Sequence, residues 1–234
     1  SAEFTPLSFL RVVDVTAGAN VNSNAPPDEQ ELFSSSASGL FDETRQVQVV
    51  ASGMGDTAEG TSTAFQQSLL QYSMVEAQAE TLVSLNVNTS SGGGAFGDAV
   101  AELAFEFVLD AITDYQIIAN IDHFGPVSDA SVQLLQDDSI SIFAVGEPTG
   151  YTVVSIMQSG TLSPGNYRLI GSADTILSYL GPTFPTTSGA EFSILFLLEV
   201  IPGDFDPDGD VDGRDCLVWQ RGGSPSPLSS TDLA

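Results

Sequence analysis

The chain has no lysine, one histidine, one cysteine and one tryptophan in its 234 residues. Each scarcity excludes something. The lone cysteine, Cys216, rules out an intramolecular disulfide. Five arginines face thirty-one acids, for a formal net charge of -26, so nucleic acid and anionic membrane are poor partners. The lone histidine, His123, is the only base that a Ser-His-Asp hydrolase could use, and no Gly-x-Ser-x-Gly elbow accompanies it. No apolar run is long enough to span a bilayer, so direct membrane insertion is not expected; the stretch from Ile194 to Val200 has strand length.

What is present describes a folded protein. The composition is 42% apolar with a mean hydropathy of +0.13, too hydrophobic for a disordered acidic chain. The length suffices for a sizeable core in one or two domains. Strand alternation recurs along the chain. Val47 and Val49 alternate with Gln46 and Gln48, and Leu103, Phe105, Phe107 and Leu109 with Glu102, Ala104, Glu106 and Val108. Tyr115, Ile117, Ala119 and Ile121 repeat the pattern, as do Ile140 and Ile142 against Ser139 and Ser141. Phe192, Ile194, Phe196, Leu198 and Val200 share one face, with Leu195 and Leu197 on the other, which predicts a strand covered on both sides. Many short strands between Gly, Pro and Asn turns predict an all-β, antiparallel, jelly-roll-like sandwich over residues 1–201. The glycine-rich break at Ser90–Gly94 reads as a long hairpin loop, or as a split near 91–97 between two sandwiches.

The strongest chemical signal is Asp204-Phe205-Asp206-Pro207-Asp208-Gly209-Asp210-Val211-Asp212-Gly213-Arg214-Asp215. Aspartates occupy positions 1, 3, 5, 7, 9 and 12 of this stretch, Gly209 position 6 and Val211 position 8. Without a cation, neighbouring carboxylates at roughly 5–8 Å repel by about 0.5–1 kcal/mol per pair even in water. A hard divalent cation removes that cost, and an all-oxygen ligand set selects calcium. Asp204, Asp206, Asp208, Asp212 and Asp215 would ligate through carboxylates, and Asp210 through its backbone carbonyl. A short helix, 216–221, is expected to follow, ended by Gly222 and Gly223.

The segment GDFDPDGDVDGRDCLVWQRGG resembles the calcium-loop-plus-helix half of a type I dockerin. It is especially similar to the C-terminal segments of secreted bacterial proteins of the planctomycete kind. The resemblance covers about the last thirty residues, 203–234, and implies Ca2+ bound by the six aspartates. Dockerins carry two such loops and this chain has one, followed by a capped helix start at 229–234. Gly213-Arg214 stand where a Ser-Thr recognition pair is common. The resemblance therefore implies calcium more firmly than docking to a cohesin.

Other residues invite function and have simpler readings. His123 reads as a strand-end residue, and Glu102 and Glu106 as solvated acids on strand faces. Trp219 falls in the calcium-module helix, while Tyr72, Tyr151 and Tyr179 are candidates for sugar stacking. Cys216 reads as a small apolar residue, with an intermolecular disulfide as the alternative.

The expectation is a non-enzymatic extracellular structural or adhesive protein that polymerises with copies of itself. Its signal peptide would have been removed, and its C-terminal module would be stabilised by calcium. The apolar strand Leu7–Val15 is the candidate for addition to a neighbour's sheet. The alternative is a polysaccharide-binding or docking module of an exported polysaccharide-processing system.

Overall fold

The computed structural model describes residues 4–199 except 22–25, 27–28, 38, 54–55, 72, 91, 126, 147–152 and 182. Twelve strands make up the described residues: β1 (Phe4–Val21), β2 (Glu29–Ser35), β3 (Phe41–Gly53), β4 (Asp56–Gln71), β5 (Met74–Asn88), β6 (Gly93–Leu109), β7 (Thr113–Phe124), β8 (Ser128–Gln136), β9 (Ile140–Gly146), β10 (Val154–Leu162), β11 (Gly165–Leu180) and β12 (Thr183–Glu199). They form two six-stranded sheets. Sheet A has the order β2-β1-β6-β11-β8-β9, and sheet B the order β10-β7-β12-β5-β4-β3. Every pairing is antiparallel.

The alternation in the sequence becomes the two inner faces. Along β6, Leu103, Phe105, Phe107 and Leu109 are buried; along β7 the same holds for Tyr115, Ile117, Ala119 and Ile121. On β12 the buried set is Phe192, Ile194, Phe196 and Leu198. Aromatic rings fill one end of the core. Phe107 stacks on Phe105 and on Tyr167, with centroids 5.4 Å apart in both cases, and meets Phe196 of the other sheet at 5.6 Å. Such contacts add about 0.5–1.5 kcal/mol each beyond the area they bury.

The other end is built from small residues, and the sheets come close there. A Cβ on Gly60 would lie 2.6 Å from the Phe96 carbonyl oxygen, and one on Gly97 would lie 2.5 Å from Ser62 Oγ and from Val83. Ser62 Oγ donates to the Thr16 carbonyl at 2.6 Å, tying β4 to β1 across the gap. Only glycine permits this approach of two backbones.

The stretch at 89–92 carries the chain from β5 in sheet B to β6 in sheet A, where a hairpin loop is the expectation. Pairings β1–β6 and β5–β12 join the parts of the chain on either side of 91–97. From β5 onward the chain passes between sheets at every connection except β8–β9. Across the core β10-β7-β12-β5 lies over β9-β8-β11-β6.

Two expectations change. Residues 11–17 of β1 are hydrogen-bonded to β2 on one side and β6 on the other. That half of Leu7–Val15 therefore has no free edge to offer a neighbour. Leu195 and Leu197 sit half-exposed on the outer face of sheet B, which no further layer covers among the described residues.

Candidate functional site

The predicted calcium ligands, Asp204, Asp206, Asp208, Asp210, Asp212 and Asp215, lie outside the described residues, as do Cys216, Trp219, Tyr72 and Tyr151. Among the described residues, no group of three or more His, Cys, Asp or Glu is placed to hold a metal ion. His123 is 8% exposed near the end of β7, on the inward face, paired across strands with Ala190. Tyr179 is half-buried against the core. Glu106 accepts a hydrogen bond from Ser8 Oγ at 2.7 Å and lies 3.8 Å from Arg168.

The two seams of the sandwich, where sheet edges meet, differ in kind. At the first, β2 and β3 close against each other around arginine. Arg11 of β1 is 1% exposed. Its Nη1 and Nη2 donate to the carbonyls of Ala37 and Gly39, both at 2.8 Å, and its guanidinium lies 3.8 Å from the Phe9 ring centre and 5.0 Å from that of Phe41. Burial lowers its pKa to about 10, so it stays protonated at neutral pH. The planar fork holds two carbonyls of the β2–β3 link at once, which an ammonium could not do in the same geometry. Phe33 and Phe41 meet at 5.9 Å, and Arg45 lies over Phe33 while pairing with Glu43 at 2.7 Å. Both edges carry charge: Glu29 and Glu31 on β2, and Asp42, Glu43 and Arg45 on β3.

At the second seam, β9 and β10 carry no charged side chain. Among the described residues Gln158 spans the gap: from β10 it donates to the Ile142 carbonyl of β9 at 3.2 Å and to the Tyr115 hydroxyl at 2.7 Å. β10 pairs with β7 without interruption from Val154 to Leu162. Its other edge therefore presents a regular row of backbone donors and acceptors. Met157 is 69% exposed on it, and Ile140 of β9 is 54% exposed. A sequence signal for this seam exists, because residues 139–146 and 148–167 contain no charged residue. Its meaning depends on these strands lying at sheet edges, which only long-range pairing decides.

The outer face of sheet A gathers acids. Asp174 pairs with Val100 on one side and Asp129 on the other, and Asp14 pairs with Val100 from the far side. Asp98 and Glu102 flank Val100 along β6. One carboxylate oxygen of each of Asp98, Asp129 and Asp174 is buried without a hydrogen-bond partner. Desolvation, then the Asp98, Asp129 and Glu102 charges, raise the Asp174 pKa; desolvation, then Asp14, raises that of Asp98. Asp98 and Asp174 thus hold their protons more tightly than ordinary aspartates do, and the patch repels other anions.

No family model matches the chain, and no curated protein matches it. Among solved structures it overlaps the enzymatically active domain of tailspike protein 4 of bacteriophage CBA120 at 13% identity with a TM-score of 0.23. That overlap covers 66% of this chain and 19% of the tailspike chain, so this chain spans about a fifth of that protein. It overlaps infectious bursal disease virus of the Gt strain at 10% identity and a TM-score of 0.20, covering 94% of this chain and 74% of the other. For the Gx strain the values are 10%, 0.17, 94% and 75%. Overlaps this slight carry no argument about this chain.

Proposed function

We propose that this chain is a non-enzymatic extracellular structural protein, a jelly-roll sandwich that assembles with copies of itself through the β10 edge. The observation that carries this reading is an uncharged, uninterrupted sheet edge in a chain of net charge -26. Copies of so acidic a protein repel each other, and at physiological ionic strength the repulsion is screened beyond about 8 Å. They can meet closely where the carboxylates are absent. Exposed edges are ordinarily blunted by charge, as β2 and β3 are; β10 lacks that protection. Two β10 strands pairing antiparallel about a two-fold axis would satisfy both rows of backbone groups and bury Met157.

The jelly-roll reading is supported by the way β5–β12 alternate between the sheets. In the C-terminal segment, 203–234, Ca2+ held by Asp204, Asp206, Asp208, Asp210, Asp212 and Asp215 would supply much of the folding energy, because about thirty residues bury little core alone. An extracellular location follows from that calcium site, since ordinary-affinity calcium loops fill outside the cytoplasm.

Electron microscopy of the protein in calcium should show sandwiches joined edge to edge in pairs; uniform discrete particles of one chain would overturn the reading. In the same preparation, a chelator should open residues 203–221 to protease and leave the sandwich intact. Equal protection with and without chelator would remove the calcium part.

A further inference from the structure

The outer face of sheet B carries its side chains in ordered rows, set by the register of β4, β5, β12 and β7. In the central row Gln67 pairs with Gln78, Gln78 with Ser193, and Ser193 with Asn120. Gln78 Nε2 donates to Gln67 Oε1 at 3.0 Å, and Asn120 Nδ2 donates to Ser193 Oγ at 2.9 Å. On one side of this row lie three acids in line, Glu80, Glu191 and Asp122. On the other side Glu76 pairs with Leu195 and Leu195 with Ile118, beside Leu69. Two depressions, of about 340 and 360 Å³, lie along these rows and share Gln78, Asn120 and Ser193. Together they form one open trough across four strands, about 14 Å from β4 to β7 at ordinary strand spacing.

The chemistry of the trough is lopsided. Glu80, Glu191 and Asp122 are acceptors only, and the internal amide bonds leave Gln78 Oε1 and Asn120 Oδ1 free to accept more. Desolvation, then the Asp122 and Glu80 charges, raise the Glu191 pKa, the mark of three carboxyl groups set side by side. A ligand that fits must bring many donors and no negative charge. It must also offer an apolar surface to Leu195, Ile118 and the half-buried ring of Phe65, the cross-strand partner of Glu80. A chain of neutral sugars has that composition: hydroxyls at the edges of each ring and C–H groups on its faces. A second copy of this acidic protein does not, since its carboxylates would face these.

We propose that the trough on the outer face of β4, β5, β12 and β7 is a binding site for a neutral polysaccharide strand. Gln78 and Asn120 bond its hydroxyls, the acid row accepts from them, and Leu195, Ile118 and Phe65 pack on its ring faces. The trough lies on β4, β5, β12 and β7 and stops one strand short of β10, where Ile118 pairs with Met157; its ligand contacts need no second copy of the chain.

The test is affinity electrophoresis of the intact chain through gels containing galactomannan, xylan or mixed-linkage β-glucan, with alginate and chitosan as charged controls. At least one neutral polymer should retard the protein at both low and high salt, and alginate should not. Asn120→Ala and Gln78→Ala, both at solvent-facing positions, should each weaken retention about five- to tenfold. Ile140→Lys, on β9 at the edge of the other sheet, should leave it unchanged. Three results would overturn the proposal: no retardation by any neutral polymer, retention unchanged in both variants, or retention by chitosan alone that disappears in high salt.

Discussion

The two seams of this sandwich solve the same problem in opposite ways. Each must end two sheets whose outermost strands have unsatisfied backbone groups on one side. At β2 and β3 the solution is closure. The buried Arg11 fork grips the Ala37 and Gly39 carbonyls, Phe33 and Phe41 pack together, and five charged side chains line the edges. At β9 and β10, among the described residues, Gln158 bridges the gap, and the two strands carry no charge. The difference is what the proposed assembly rests on. Net charge keeps copies apart over most of the surface, so association is confined to places left without charge. On the proposed reading the closed seam serves stability and the open one contact, and the two respond to different substitutions.

The largest expected effect is at the closed seam. Arg11→Ala leaves two carbonyls without their donors and removes a cation from between two rings, which should cost about 2–4 kcal/mol. Arg11→Lys should recover less than half of that, because an ammonium lacks the fork. Chemical denaturation measures both. If Arg11→Ala costs less than about 0.5 kcal/mol, a figure typical of ordinary surface substitutions, the seam is not closed by this residue.

A smaller effect belongs to the acid patch on sheet A, which takes part in neither seam and so serves as a reference for them. Asp174 has a folded pKa raised by desolvation, then by Asp98, Asp129 and Glu102. A carboxyl raised in the folded state binds its proton more tightly there than in the unfolded chain. Its contribution to stability is therefore fully present below the ordinary aspartate pKa of about 4 and is lost as pH rises through the raised folded value. Asp174→Asn should stabilise the protein at neutral pH by roughly 0.5–1 kcal/mol, a value discounted for solvent screening. The gain should vanish toward pH 4. Thermal unfolding of parent and variant across that range tests the sign; a gain of constant size, or a loss at neutral pH, would contradict it.

Much of the fold was legible in the chain, because the side-chain period of a strand is a local property. Leu103 to Leu109, Tyr115 to Ile121 and Phe192 to Leu198 lie as their alternation predicts. Pairing partners are not local, and the misses follow from that. Leu7–Val15 has the composition of a sticky edge, yet residues 11–17 lie inside sheet A, and the exposed edge falls at β10 instead. Ile140 and Ile142 show the expected alternation, but the pairing of β8 with β9 shifts at Leu134/Leu135, and Phe143 and Val145 take the inward positions. Arg11, one charge in an apolar run, gave no sign that it would be buried, since its partners Ala37 and Gly39 are backbone carbonyls of a distant turn. The trough on sheet B was likewise invisible: Gln67, Gln78, Asn120 and Ser193 meet only through register. The aspartates from Asp204 to Asp215 are the reverse case, a ligand pattern explicit in the sequence that lies outside the described residues.

The central claim is that copies of this chain associate at the open seam and not at the closed one. Its most direct test compares Met157→Lys with Arg45→Ala by multi-angle light scattering over a wide concentration range. The first puts a charge on the uncharged edge; the second removes one from the charged edge. Self-association of the parent chain should be lost in Met157→Lys at unchanged melting temperature and should persist in Arg45→Ala. A parent that remains monomeric at every concentration, or a Met157→Lys variant that associates as strongly as the parent, would contradict the account.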